Sequence, residues 1–230
     1  MVIAVDAWKL AYVALPKAAC SSVKQALAGL DPWVHVPKQP DVGVWHRAYP
    51  TRRFNPELWS RYQDCFRFCV VRDPASRLMS CYTDIVVKRR ALGHSPRVRA
   101  AKGLPLMPDP DTFFMRLARY RRKSSIVKHH VLGASVFLGQ NLSGDYDRVY
   151  RTCQLGELAD DLSRHTGERV TMTNANPSGG ALSLWDLSGR TIDRLRPILE
   201  AEYRYLDGHF VNPLGPRIHD ACALPERRVS

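Results

Sequence analysis

The sequence predicts a three-layer α/β domain, with a central parallel sheet covered by helices on both faces. Three observations lead there. Short apolar runs bounded by turn residues recur along the chain, each is followed by a segment of helical periodicity, and the 230 residues suffice for one substantial core. A single domain over residues 1–212 is expected, followed by a poorly ordered tail over 213–230.

The first strand is read in "LAYVAL" (10–15), stopped by Pro16. "SSVKQALAGL" then opens on serines, keeps apolar residues at helical spacing and ends near Gly29. "DCFRFCVVR" (64–72) reads as a second buried strand. Asp73 supplies an N-cap and Pro74 a first helical position for "DPASRLMSCYTDIVVKRR". Residues 91–111, rich in Pro, Gly and positive charge, read as an exposed loop or lid. "DTFFMRLARYRRK" has a helical pattern with a basic outer side. "DRVYRTCQ" reads as a third strand, "GELADDLSRHTG" as a helix closed by Gly167, and "SGRTIDRLRPILEAEYRYLDGHF" as a terminal helix broken or bent near Pro197. There is no internal repeat and no low-complexity segment.

Composition narrows the class. Hydrophobic residues make up 45% and charged residues 24%, as in ordinary globular proteins, but the net charge is +12 and the pI about 9.7. Such an excess fits an anionic partner: nucleic acid, lipid headgroups, an anionic glycan or a nucleotide. The six cysteines include no CxxC pair, and Cys65, Cys69 and Cys81 lie in or beside apolar runs, as free buried thiols do. No stretch reaches the roughly 18 apolar residues of a membrane span, and no signal peptide precedes the first strand. The expected setting is the cytoplasm.

Two elements carry candidate chemistry. In parallel α/β sheets ligands sit beyond the carboxyl ends of strands, where helix N-termini present free amides. "PKAACSS" occupies that place after the first strand, with Lys17 adding charge and Ser21 and Ser22 adding hydroxyl donors. It is P-loop-like in position, yet it lacks the glycines and the Lys-Ser/Thr pair of a nucleoside triphosphate loop. "FCVVRDPASRLMSCY" sets Arg72 at the end of the second strand and Ser80 about two turns into the helix that follows, so both can reach one anion. Arg77 is a further donor on that element. Alternatively, Arg72 and Arg77 simply pair with carboxylates such as Asp73 or Asp84.

These residues resemble a known family. "LPKAACSSVKQAL" is similar to the 5′-phosphosulfate loop, and "VVRDPASRLMSCY" to the 3′-phosphate motif, of sulfotransferases that use 3′-phosphoadenosine 5′-phosphosulfate (PAPS). The Cys-Ser-Ser-x-Lys run most resembles the Golgi carbohydrate branch (chondroitin-type), whose loop reads PK-x-x-C-T/S-x-x-K. Weaker similarity continues through "KHHVLGASVFLGQ", "YDRVYRTCQLGELADDL" and "NANPS". The chain departs from the family near Gln154, where Glu is frequent, and in having no membrane anchor, so a soluble, bacterial-type member is expected.

The resemblance implies sulfuryl transfer from PAPS, without a metal, to an acceptor hydroxyl on a carbohydrate or glycolipid, anionic or neutral, with peripheral membrane contact as an option and no nucleic-acid partner. It implies that Lys17, Ala18, Ala19, Cys20, Ser21, Ser22, Arg72 and Ser80 hold the nucleotide, and that Lys17 steadies the leaving phosphate. A general base is also required. His46, in "VGVWHRAYP", is the first candidate, with Glu57, His129 and His130 as alternatives. Trp45, Tyr49 and Trp59 are candidates to stack on a sugar or on adenine, and "NANPSGG" (174–180) to cover the nucleotide. The competing readings are a P-loop small-molecule kinase, a basic nucleic-acid-binding protein without catalysis, and an inactive member of the family.

Overall fold

The computed structural model describes residues 2–35, 42–173 and 182–215. Four strands form one sheet in the order β1-β2-β3-β4: Ile3–Val5, Leu10–Val13, Phe66–Val71 and Arg148–Arg151. β2, β3 and β4 are mutually parallel, with Val13 opposite Cys69 and Val71 opposite Arg151. β1 runs antiparallel to β2, so the sheet is mixed rather than wholly parallel. A 3₁₀ turn over Asp6–Trp8, closed by Lys9 in the left-handed region (φ 49°), folds β1 back.

Helices fill the connections. α1 (Cys20–Leu30), α2 (Val42–Ala48) and α3 (Pro56–Trp59) lie between β2 and β3. α4 (Pro74–Cys81), α5 (Pro96–Arg99), α6 (Pro110–Met115), α7 (Leu117–Lys123), α8 (Ser125–Val131), α9 (Ser135–Leu138) and α10 (Leu142–Asp145) lie between β3 and β4. α11 (Leu155–Thr166) and α12 (Gly189–Tyr205) follow.

The period-two alternation of the strands divides the core. Leu10, Tyr12, Phe68, Val70 and Tyr150 point to one face, against Val23 and Leu27 of α1, Trp45 of α2 and Leu158 and Leu162 of α11. Ala11, Val13, Cys69 and Val71 point to the other, against Trp59, Phe137, Leu138, Tyr146 and Leu206. A third cluster joins α4, α6, α7, α8 and α12 beyond the sheet. Both faces are therefore covered, as in a three-layer α/β fold.

Local chemistry sets the boundaries near the strand ends. The Asp73 carboxylate accepts from the Ser76 amide at 2.8 Å, Pro74 takes the first helical position, and the Tyr203 hydroxyl of α12 donates to the same carboxylate at 2.6 Å. α4 does not continue to Arg90 as a plain helix, because residues Tyr82–Lys88 form a π-helical stretch. Residues 91–103 are not a free lid: Ala91, Leu92 and Val98 are buried in the third cluster, and Arg116 and Arg119 donate to the carbonyls of Gly103 and Lys102. α12 runs unbroken through Pro197, carried by the buried Leu195, Leu199 and Tyr203. Gly167 closes α11 at φ 73°, as its spacing predicts. "NANPSGG" and residues 216–230 lie outside the described residues.

Candidate active site

A cleft of about 1180 Å³ opens at the carboxyl ends of β2 and β3. Its floor is the turn from β2 into α1. Lys17 (φ 68°) and Ala19 (φ 54°) both sit in the left-handed region, although neither is glycine. Each such residue costs on the order of 1 kcal/mol or more, a strain held in place by the buried Leu15, Ala18 and Val23 around it. This is how the turn is made without the glycines of a nucleoside triphosphate loop. Left-handed residues interleaved in a turn point successive amides into one concavity. The first-turn amides of α1 at Cys20 and Ser21 have no acceptor within their own helix and add to it.

Lys17 is paired in this structure. Its Nζ donates to Asp84 Oδ2 at 2.8 Å, with both side chains only 9% exposed, and Arg89 Nε donates to Asp84 Oδ1 at 3.1 Å. Burial pushes the Asp84 carboxyl up, but the hydrogen bond and charge of Lys17, backed by Arg89, outweigh it and leave the group below the usual carboxylate range. Asp84 comes from the π-helical stretch and was not among the residues expected at the site.

Arg72 lies immediately after β3 and donates from Nη1 to the Lys17 carbonyl at 3.3 Å, so it stitches the two strand-end elements together. Burial lowers the pKa of its guanidinium, the signature of a cation held without full solvation. Ser80, two turns along α4, lines the same cleft. Arg77 does not. Only 5% exposed, it turns to α12, donating to Glu202 Oε2 at 2.8 Å and to the Leu132 carbonyl at 2.9 Å, and is structural rather than a site donor.

His46, on α2, lines the cleft with both ring nitrogens engaged. Nε2 lies 3.0 Å from Ser21 Oγ and Nδ1 3.1 Å from Lys24 Nζ. Lys24 is fully buried and also donates to Thr51 Oγ1 at 2.6 Å. Desolvation, then the charge of Lys24, brings the His46 pKa down to about 4, so the ring is neutral well below the ordinary imidazole value. His129 and His130 of α8 also line the cleft. His130 Nδ1 lies 2.8 Å from the Ile126 carbonyl, and burial brings its pKa to about 4 as well.

The other expectations fall outside the cleft. Glu57 is exposed in the first turn of α3 and takes no part in the lining. Trp45 belongs to the core, and the Tyr49 hydroxyl donates to Asp31 Oδ2 at 2.7 Å. Trp59 packs on Phe54 and Tyr146, with its indole N–H on the Asp145 carbonyl at 3.0 Å. None of the three presents a ring to the cleft, because all three complete the hydrophobic layers.

The charged residues lining the cleft are Lys17, Arg72, Lys88, Arg89 and Asp84, four cations against one carboxylate. Among the described residues no group of three or more His, Cys, Asp or Glu is placed to hold a metal ion. The cleft thus brings together a strained turn, the start of α1, two serines and a cationic wall.

Comparison with known families decides the class of chemistry. A family model described as "Sulfotransferase family" matches residues 1–176, more than three quarters of the chain. The chain belongs to the sulfotransferase family. The match spans both strand-end elements, the cleft histidines and all four strands of this sulfotransferase. No curated protein and no solved structure matched it. Sulfuryl transfer is thus its general chemistry, and an acceptor hydroxyl its partner. No helix among the described residues is long and apolar enough to cross a membrane.

Proposed function

We propose that this sulfotransferase takes its sulfuryl group from PAPS and delivers it to a hydroxyl on a carbohydrate or glycolipid in the cytoplasm, within a single domain over residues 1–212. The observation that supports this reading is the convergence of two anion grips on one cleft. The β2–α1 turn offers the amides of Cys20 and Ser21 at the start of α1, with Ser21 and Ser22 lining the cleft, and Arg72 with Ser80 stands at the next strand end. A donor carrying a phosphosulfate at one end of a nucleoside and a phosphate at the other matches that pair.

Sulfuryl transfer builds negative charge on the phosphate oxygen that departs. Lys17 belongs to the turn itself and is the cation assigned to that oxygen; exchanging Asp84 for the departing oxygen keeps its charge compensated. Transfer also requires that acceptor and donor be aligned and that the acceptor proton leave, for which the cleft offers neutral imidazoles. The kinase reading is not favoured, since the turn contains no glycine and the family match points to sulfuryl rather than phosphoryl transfer.

The test is calorimetric titration with 3′-phosphoadenosine 5′-phosphate (PAP) and with AMP, followed by an acceptor screen using ³⁵S-labelled PAPS. PAP should bind much more tightly than AMP. Equal affinities would remove the role of Arg72 and Ser80.

A further inference from the structure

The histidines at the cleft are held in opposite ways. A lysine ammonium has three donors and no acceptor, so Lys24 Nζ, placed 3.1 Å from His46 Nδ1, requires that nitrogen to accept. In the neutral ring the proton then resides on Nε2, which donates toward Ser21 Oγ at 3.0 Å. Lys24 is fixed in turn by Thr51 and by complete burial. His130 is the mirror case. Its Nδ1 lies 2.8 Å from a carbonyl oxygen, which can only accept, so Nδ1 carries the proton and Nε2 keeps its lone pair.

We propose that Lys24 fixes His46 as an Nε2–H donor on the sulfuryl-donor side of the cleft, and that His130 takes the acceptor's proton at Nε2. The inference rests on the reading of PAPS as donor and assigns the base within it. As the acceptor oxygen forms its bond to sulfur, its proton passes to His130 Nε2. The sulfur–oxygen bond to phosphate breaks, and its electron pair goes to the phosphate oxygen, where Lys17 and the hydroxyl hydrogen of Ser21, whose oxygen accepts from the His46 N–H, meet the charge. The imidazolium then returns its proton to solvent. The charged and titratable groups that face His46 are Lys24 of α1, Lys17 of the turn, Arg89 of the π-helical stretch and His129 of α8; those facing His130 are His129, Lys17 and Arg89. Every one of them that is charged is a cation, so burial first and these charges second keep both rings neutral.

This arrangement is readable without any substrate. Long-range ¹H–¹⁵N spectra of the ¹⁵N-labelled protein near pH 7 should show His46 as the Nε2–H tautomer and His130 as the Nδ1–H tautomer, with H46Q and H130Q supplying the assignments. Lys24→Met should abolish the single tautomer of His46 and leave that of His130 unchanged; circular dichroism and PAP titration show whether that variant folds, and Lys24→Gln serves if it does not. The opposite tautomer at either histidine overturns the proposal. For turnover, ³⁵S-labelled PAPS is offered with octyl glucoside as a neutral sugar hydroxyl. His130→Ala should lose roughly 10²-fold or more and regain part of it with added imidazole, whereas His46→Gln, which keeps a donor, should lose about tenfold or less. A His46→Gln enzyme as damaged as His130→Ala, or an imidazole-insensitive His130→Ala, overturns the base assignment. If wild type binds PAP but fails these tests, the inference falls alone; if it does not bind PAP, the donor reading falls and takes the inference with it.

Discussion

Replacing Arg72 by methionine separates the two anion grips by a measurable amount. Among the described residues the guanidinium makes one hydrogen bond, a long one of 3.3 Å to the Lys17 carbonyl. Losing that contact loosens the β2–α1 turn and should weaken every nucleotide, at the low end of the usual range, about 0.5 kcal/mol. A nucleotide with a 3′-phosphate loses, in addition, a charge-assisted bond from a half-buried cation, about 2 kcal/mol. PAP should therefore lose about 2.5 kcal/mol and AMP about 0.5 kcal/mol, so that their affinity ratio falls about 30-fold, at 1.4 kcal/mol per decade. The assay is isothermal titration of both nucleotides into wild type and Arg72→Met at one salt concentration, with unchanged far-ultraviolet dichroism as the folding control. Equal losses for PAP and AMP would refute the reasoning, because Arg72 would then act only through the turn.

Other perturbations test separate links. Lys17→Ala should lower turnover about 10²-fold or more while the PAP dissociation constant rises less than tenfold, since the charge counts most as the phosphate oxygen departs; equal effects on both would place Lys17 in binding alone, and EDTA should leave wild-type turnover intact. Glu202→Gln should cost about 3–5 kcal/mol in urea unfolding, because the buried Arg77 loses its counter-charge and an amide must face the Ala134 N–H, which the carboxylate now accepts at 3.0–3.1 Å; a change below about 1 kcal/mol would show the pair to be solvated. His46 and His130 have folded pKa values near 4, below the ordinary 6.5 of an unfolded imidazole, so the unfolded chain binds the extra protons and stability should fall as pH drops from about 6.5 toward 4. A melting temperature that stays level between pH 7 and 5 would contradict that. By the same displacement kcat/KM should hold down to about pH 5 and fall only near 4; an acid limb at 6.5 would mean that the imidazole used is solvent-exposed.

What could be read from the sequence was local. The runs that became β2, β3 and β4 carry their own burial signal, and the Asp73-Pro74 cap specifies the start of α4 within four residues. Lys17, Ser21, Ser22, Arg72 and Ser80 meet in one cleft because strand ends and helix starts are fixed by those same short signals. β1 escaped notice because three residues, Ile3–Val5, carry too little periodicity. Residues 91–111 looked like an exposed loop because Pro, Gly and basic residues punctuate them, while the buried side chains of Ala91, Leu92, Val98 and Leu104 anchor the stretch to the core. Arg77 stands within one turn of Ser80 on α4, but Glu202, 125 positions away, and the Leu132 carbonyl draw its guanidinium away from the cleft.

The same distinction explains why the proton chemistry was the hardest part to read. That His46 is a histidine near the cleft follows from its place after α1, but its role depends on which nitrogen holds the proton. That is decided by Lys24, 22 residues before it, whose side chain is buried where helical spacing on a small-residue face would predict an alkyl group. A lysine in such a place is costly unless its hydrogens are used, and Thr51 and His46 both accept from it. The net charge of +12 could not show this either, since most of the cations are exposed and only a few border the cleft. Charge composition therefore fits an anionic partner, strand-end motifs bring the candidate residues to one cleft, and the proposed proton and charge roles rest on the non-local contacts of Asp84 and Lys24.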